Sequence, residues 1–166
     1  MTEAYRYPSR LQALPMYLML ALTREGYRHA VRSKLDFRMP DYAVMAVLAE
    51  FGASDQRTIA ERVGFDKSDV TKIVNRLEGK SLVRRTEDEV DHRRHCVVLT
   101  AKGRRQLEVS DKELVDSMKV FLRGLDAEEY RQLQQLLLKA IQVHDQRFAP
   151  DPNRSTEHMT SPLIAN

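Results

Sequence analysis

Apolar residues return at helical spacing near both ends of the chain, and each such stripe predicts one amphipathic helix. The first stripe runs from Leu11 to Val31. Two more follow at the other end, from Leu107 to Leu122 and from Tyr130 to Ile141, the last behind a capping box of Asp126 and Glu129. Each of these helices has to bury its apolar stripe against a partner.

The first stripe contains Pro15, which either kinks its helix or begins it, because proline suits only the first helical turn.

A further helix is predicted between the two ends of the chain. It runs from Met39 to Phe51, is apolar on most of its sides and is ended by Gly52. Such broad apolar coverage indicates a helix that is largely buried.

Two short amphipathic helices follow, joined by a tight turn. The first begins at Asp55 and ends at Gly64, since aspartate caps helix N-termini and glycine takes the left-handed conformation that ends them. The second begins at Asp66, where Asp69 comes close to completing a capping box, and ends near Glu78. This arrangement is typical of a helix-turn-helix. The second helix has a narrow apolar face of Val70, Ile73, Val74 and Leu77.

The outer side of the second helix carries side chains that suit the major groove of DNA. Hydroxyls and lysines contact phosphates, whereas Asn, Arg and Lys also bond to base edges. The candidate DNA contacts on this side are Lys67, Ser68, Thr71, Lys72, Asn75 and Arg76. For an isolated helix, a solvated surface would explain the same residues better, so the next segment decides between the two.

A basic β-hairpin follows directly, and it favours DNA. Residues 82–86 and 96–100 are predicted as two short strands with a polar loop between them. The whole chain has a net charge of +3, but residues 55–105 alone contain 13 Lys and Arg against 9 Asp and Glu. The positive charge is therefore concentrated where the helix-turn-helix and the hairpin lie, as expected for a partner that is a nucleic acid.

A hairpin in this position is a wing. Arg84 on its first strand and Arg93 and Arg94 near its tip are further candidate DNA contacts, since an arginine at a wing tip can enter the minor groove. Asp91 is placed to position Arg93 through a charge-assisted hydrogen bond. The alternative is a solvated charged turn, which the acidic run at residues 87–89 favours.

Other chemistry finds little support in the sequence. Metal-capable side chains occur near the wing, but their spacing matches no zinc pattern; they are Asp91, His92, His95 and Cys96. A single cysteine excludes an intrachain disulfide and suits a reducing cytoplasm, and we interpret Cys96 as a small apolar residue of the wing. No catalytic arrangement, cofactor motif or membrane span stands out, so we expect no enzyme, no cofactor and no membrane partner.

Residues 66–103 resemble the winged-helix region of the MarR family of bacterial transcription regulators. The resemblance rests on the helix Asp66–Glu78, on Leu82–Arg85, on the wing Asp91–Arg94 and on the exit Leu99–Gly103. Asp-x-Arg followed by Leu-Thr-x-x-Gly is a fairly specific combination. One departure is Ser81, which stands where this family usually has glycine.

The resemblance implies a mainly α fold with a small β wing, in which N- and C-terminal dimerisation helices flank a winged helix-turn-helix. It also implies a homodimer on a pseudo-palindromic operator, most often a repressor that a small molecule releases. The apolar stripes agree independently, because one small winged domain could not bury them all. The expected division is a flexible arm at 1–9, a dimerisation helix at 10–38, the DNA-binding domain at 39–103, dimerisation helices at 104–148 and a disordered tail at 149–166.

Members of this family often bind small aromatic acids or phenols in a cleft between the dimer helices and the DNA-binding lobe. The residues that would line this cleft are Tyr17, Arg24, Arg38 and Tyr42. Tyr17 and Tyr42 are better explained as core or interface residues. For the whole chain, the alternative function is a helical interaction module that docks a protein partner through its winged helix.

Overall fold

The structure is a computed structural model that describes residues 8–33, 37–87 and 95–148 and is mostly helical. The elements in chain order are α1 (Ser9–Gln12), α2 (Pro15–Arg32), α3 (Met39–Phe51), α4 (Gln56–Val63), α5 (Lys67–Gly79), β1 (Val83–Glu87), β2 (His95–Leu99), α6 (Ala101–Phe121), α7 (Ala127–Gln142) and a 3-10 turn (Gln146–Phe148). The described residues form two compact units, which divide between Ser33 and Phe37. None of the helices in the described ranges is long and apolar enough to cross a membrane.

The first unit contains α1 and α2. Pro15 is the first residue of α2, so it begins that helix and does not kink it. None of the residues described in α2 is buried. Large apolar side chains are exposed along its length, among them Met16, Leu18, Met19, Leu20 and Leu22.

In the second unit, α3, α4, α5, both strands and the beginning of α6 enclose one apolar core. The glycine stops predicted at Gly52 and Gly64 are confirmed, since each has a φ of 74° at the end of its helix. Asp55 accepts hydrogen bonds from the backbone N–H groups of Arg57 and Thr58, which confirms it as the cap of α4. These local signals determine where the helix-turn-helix begins and turns.

The predicted beginning of α5 at Asp66 is confirmed, but Asp66 and Asp69 do not form a capping box. Asp66 is the N-cap residue of α5, but among the described contacts no backbone N–H donates to its carboxylate. Asp69 instead accepts from Lys72 Nζ at 3.0 Å, so its carboxylate turns along the helix surface. By contrast, the box of Asp126 and Glu129 at the beginning of α7 is complete.

The wing strands pair antiparallel, from Val83 opposite Leu99 to Glu87 opposite His95. The Thr100 hydroxyl caps α6 by accepting from the N–H of Gly103 at 2.9 Å. A Cβ on Gly103 would lie 2.0 Å from the Leu82 carbonyl oxygen, so only glycine fits where α6 leaves the hairpin. The hydrogen bond of the cap places Thr100 three residues before Gly103, and the close approach of Leu82 requires glycine at position 103.

Candidate nucleic-acid interface

Helix α5 is held by its inner side and open on its outer side. Val70, Val74 and Leu77 are at most 1% exposed and Ile73 is 5% exposed, which confirms the apolar face predicted for this helix. The predicted contacts that lie exposed on the other side are Lys67, Ser68, Lys72 and Asn75. The core therefore presents a polar helix surface in a fixed orientation.

Thr71 lies between these two sides. Its hydroxyl is within 2.8 Å of Gln56 Oε1 on α4 and within 2.9 Å of the Lys67 carbonyl oxygen. The bond to Gln56 joins the two helices of the helix-turn-helix, so Thr71 has a structural contact besides the DNA contact predicted for it.

Arg76 is turned toward the body of the unit. Its Nε donates to both carboxylate oxygens of Asp41 on α3, at 3.1 and 3.0 Å, and its Nη2 bonds to the same carboxylate. Asp41 is buried and Arg76 is 30% exposed. The hydrogen bond to Asp41 raises the pKa of Arg76 above its already high ordinary value. This ion pair fastens the end of α5 to α3.

Arg85 joins the wing to α5. Its Nη1 bonds to Glu78 Oε2, its backbone N–H donates to Glu78 Oε1 at 3.2 Å, and its Nη2 donates to Asn75 Oδ1 at 2.5 Å. Arg84, the neighbour on β1, is exposed on the other face of the strand, as the alternation of a strand requires. Asp91, Arg93 and Arg94 lie outside the described residues.

In the turn after α5, residue 81 has the backbone conformation that glycine favours. Ser81 has a φ of 59°, the left-handed conformation in which glycine is least strained. The Leu82 N–H donates to the Leu77 carbonyl at 2.9 Å, which gives the bond pattern of a Schellman motif with Ser81 in the left-handed position. The turn forms as it would with glycine, at the cost of a strained serine.

Comparison with known proteins identifies this arrangement. The MarR family matches residues 35–94. The transcriptional regulator HosA of Escherichia coli is 35% identical over 107 residues, which are 64% of this chain and 78% of HosA. The chain belongs to the MarR family. It is therefore a transcriptional regulator, and both its relatives and its fold are those of regulators, not of enzymes.

Solved structures of MarR-family proteins agree on the fold. PcaV of Streptomyces coelicolor, solved in complex with its natural ligand, is 27% identical and has a TM-score of 0.68 over 86% of this chain and 100% of its own. Apo MarR of E. coli is 20% identical, with a TM-score of 0.64 over 82% of this chain and 99% of its own, a likeness that shows the fold alone. The predicted winged helix-turn-helix fold is confirmed.

Sequence reasoning missed three residues of the MarR-type winged helix that position others. Arg85 has a detectable signal, because a period of two places it on the same face of β1 as buried Val83. Glu78 lies one helical turn after Asn75, which places both beside Arg85. Asp41 gave no local signal, since its partner Arg76 is 35 residues away.

The four effector-cleft residues predicted from the MarR family lie in different units. Tyr17 and Arg24 belong to the first unit, and Arg38 and Tyr42 to the second, so the cleft stays a prediction. The Tyr42 hydroxyl donates to Asp111 Oδ1 at 2.7 Å. Burial, followed by that hydrogen bond and the charge of Asp111, raises the pKa of Tyr42 to about 12.

A cavity of about 240 Å³ lies within the second unit, and none of those four residues lines it. Its walls include Asp41 and the apolar side chains of Phe37, Met45 and Leu77, with Lys102 at the beginning of α6. It lies next to the Asp41–Arg76 ion pair.

The metal-capable residues of the wing are only partly described. Cys96 is 7% exposed in β2, opposite Thr86, which fits its interpretation as a small apolar residue. His95 is exposed at the beginning of the same strand. Within residues 8–33, 37–87 and 95–148, no three His, Cys, Asp or Glu side chains come together as a metal site.

Proposed function

We propose that this MarR-family regulator binds double-stranded DNA as a homodimer, with α5 of each protomer in the major groove and the β1–β2 wing beside it. The observation that carries the proposal is the two-sided character of α5. Its apolar side is fixed in the core, and Ser68, Lys72 and Asn75 are exposed on the other side. Side chains of these types bond to phosphates and base edges.

The wing extends the same basic surface. Arg84 is exposed on β1, and the proposed contacts Arg93 and Arg94 follow along the chain, with Asp91 proposed to position Arg93. Arg76 is better assigned to holding α5 in place, because its guanidinium lies on the buried carboxylate of Asp41. Thr71 combines its bond to Gln56 with a position at the edge of the exposed side.

Two helices support the homodimer. In both α2 and α7, none of the described residues is buried, although large apolar side chains line them. Leu136 and Leu20 are each 65% exposed. A single chain rarely leaves so many neighbouring apolar residues in water, so these faces need a partner. A second copy would cover these faces, and its two-fold axis would place two copies of α5 on a pseudo-palindromic operator.

We further propose that the regulator acts as a repressor that a small aromatic or phenolic effector releases. PcaV, with the same fold, was solved with its natural ligand. An effector would act by binding one spacing of the two α5 helices better than the other, which shifts the population toward the form that binds DNA weakly. Tyr17, Arg24, Arg38 and Tyr42 remain the proposed effector contacts.

The deciding experiment is the selection of bound duplexes from a random DNA pool, followed by affinity measurements on the consensus. We expect a palindromic consensus with half-sites about one helical turn apart. The affinity should fall steeply with salt concentration, because lysine and arginine contacts release counterions from phosphates. A pool without any enriched sequence would contradict the proposal and would favour a module that docks a protein.

Two variants test the assignment of the wing. Arg84→Ala and Arg93→Ala should weaken binding to most sequences and reduce the salt dependence. Arg123→Ala, which removes an exposed arginine beyond the end of α6, is the matched control and should leave the affinity unchanged. If both wing variants bind as the wild type does, the hairpin is only a solvated turn.

A further inference from the structure

The bond between Arg85 and Asn75 determines which atom of the Asn75 amide faces the wing. A guanidinium has only donors, so the carbonyl oxygen of the amide must face it, and Oδ1 does so at 2.5 Å. The amide nitrogen of Asn75 is consequently turned away from Arg85. Asn75 is exposed, and its nitrogen is the atom available to a partner of α5.

Glu78 keeps the guanidinium in this place. It accepts from Nη1 of Arg85 through one carboxylate oxygen and from the Arg85 backbone N–H through the other. The guanidinium thereby spans one helical turn, from Glu78 to Asn75, with a different nitrogen on each. Only the planar fork of an arginine makes such a double contact, because a lysine offers a single point charge.

We propose that Arg85 orients Asn75 as a pure hydrogen-bond donor, so that α5 selects a guanine at the base pair that Asn75 contacts. This inference rests on the proposed binding of DNA and adds a rule of specificity to it. Arg85 is a positioning residue in this scheme, and Asn75 is the residue that touches the base.

The groove chemistry favours guanine at this position, since thymine offers a single acceptor, O4, beside its methyl group. Guanine offers two acceptors, N7 and O6, whereas the usual pairing of asparagine with adenine needs a donor and an acceptor on the same amide. The acceptor of Asn75 is already bonded to a cation, which weakens its remaining lone pair for the amino group of adenine or cytosine. The positive charge of Arg85 also favours an edge that carries only acceptors.

The test is the selection of bound DNA with the wild type and variants, followed by affinities for operators that differ only at the base pair assigned to Asn75. That base pair is the one whose preference Asn75→Ala removes. We expect the wild type to prefer guanine about tenfold, the ratio that corresponds to a difference of 1.4 kcal/mol in base discrimination. Arg85→Gln and Arg85→Lys should both lose most of this preference, since neither offers a fork.

Two further variants distinguish orientation from charge and from folding. Arg84→Gln, the matched control on the outer face of β1, should weaken all operators equally and keep the preference for guanine. Asn75→Asp retains an acceptor for Arg85 but has no donor, so it should turn the preference toward bases with an amino group. Asn75→Asp remains informative even if Arg85→Gln melts at a lower temperature by circular dichroism.

The outcomes separate this inference from the proposed function. A wild type that prefers adenine at the Asn75 base pair, or an Arg85→Gln variant that keeps the wild-type preference, overturns the orientation of Asn75 and leaves DNA binding intact. A wild type that selects no sequence overturns the proposed function itself.

Discussion

The apolar stripes of the winged-helix core are buried, whereas those of α2 and α7 are exposed. In the core, Val74 is fully buried and Leu48 is 1% exposed, whereas Leu18 of α2 is 50% exposed and Leu136 of α7 is 65% exposed. Val74, Leu18 and Leu136 all belong to apolar stripes with helical spacing in the sequence. A stripe therefore tells which side of a helix needs a partner, but not whether that partner lies in the same chain.

The largest effect is expected from opening the core. Leu48→Ala should lower the free energy of unfolding by about 2–5 kcal/mol, because it removes buried methyl groups and leaves a cavity between α3 and its neighbours. Urea denaturation measures the change. Met39→Ala, at a position 54% exposed on the same helix, is the control and should cost less than about 0.5 kcal/mol. Equal effects at the two positions would mean that the core is not where the structure places it.

The open faces lead to the second prediction. Leu136→Asp should convert the dimer into a monomer at concentrations where the wild type is dimeric, since a charge buried in an apolar interface costs several kcal/mol. Gln135→Asp introduces the same charge outside the apolar stripe of α7 and should leave the dimer intact. Light scattering distinguishes the two. A dimeric Leu136→Asp variant would remove α7 from the proposed interface.

The elements of the winged helix were predictable where their signals are local. Gly52, Gly64 and Thr100 end or begin helices as predicted, because each satisfies backbone groups only a few residues away. The same holds for the capping box of α7. Asp69 shows the limit of such rules, since its carboxylate had another partner, Lys72, within one helical turn.

The contacts that orient α5 were not predictable in the same way. The partner of Asp41 is 35 residues away, and no local pattern distinguishes Arg76 from an exposed arginine on the same helix. Arg85 is an intermediate case, since strand alternation indicates its face, but the partners on that face follow only from how the wing packs on α5. The exposed side of α5 was therefore predictable from its apolar face, whereas the packing contacts of Arg76 and Arg85 required the fold.

The ion pair between α3 and α5 supplies the third prediction. Arg76→Ala should destabilise the winged-helix unit by about 1–3 kcal/mol, because it leaves the carboxylate of Asp41 buried without its partner. The double variant with Asp41→Ala should lose less than the sum of the two single variants, by about 1 kcal/mol or more. Lys72→Ala, which removes an exposed pair with Asp69, should change stability by less than about 0.5 kcal/mol. Additive losses would show that the Asp41–Arg76 contact contributes nothing.

The smallest expected effect is at Ser81, and it acts within the winged-helix unit without touching the core. Ser81 has a φ of 59°, where a side chain with a Cβ is strained and glycine is not. Ser81→Gly should therefore raise the free energy of unfolding by about 0.5–1 kcal/mol, even though it removes atoms and gives the unfolded chain more freedom. Ser81→Ala keeps the Cβ and should change stability very little, which makes it the matched control. If alanine and glycine had the same effect, the serine hydroxyl and not the backbone conformation would be what matters at this turn. A stabilising glycine would instead show that this chain departs from its family at position 81 at a cost in stability that the rest of the winged-helix core tolerates.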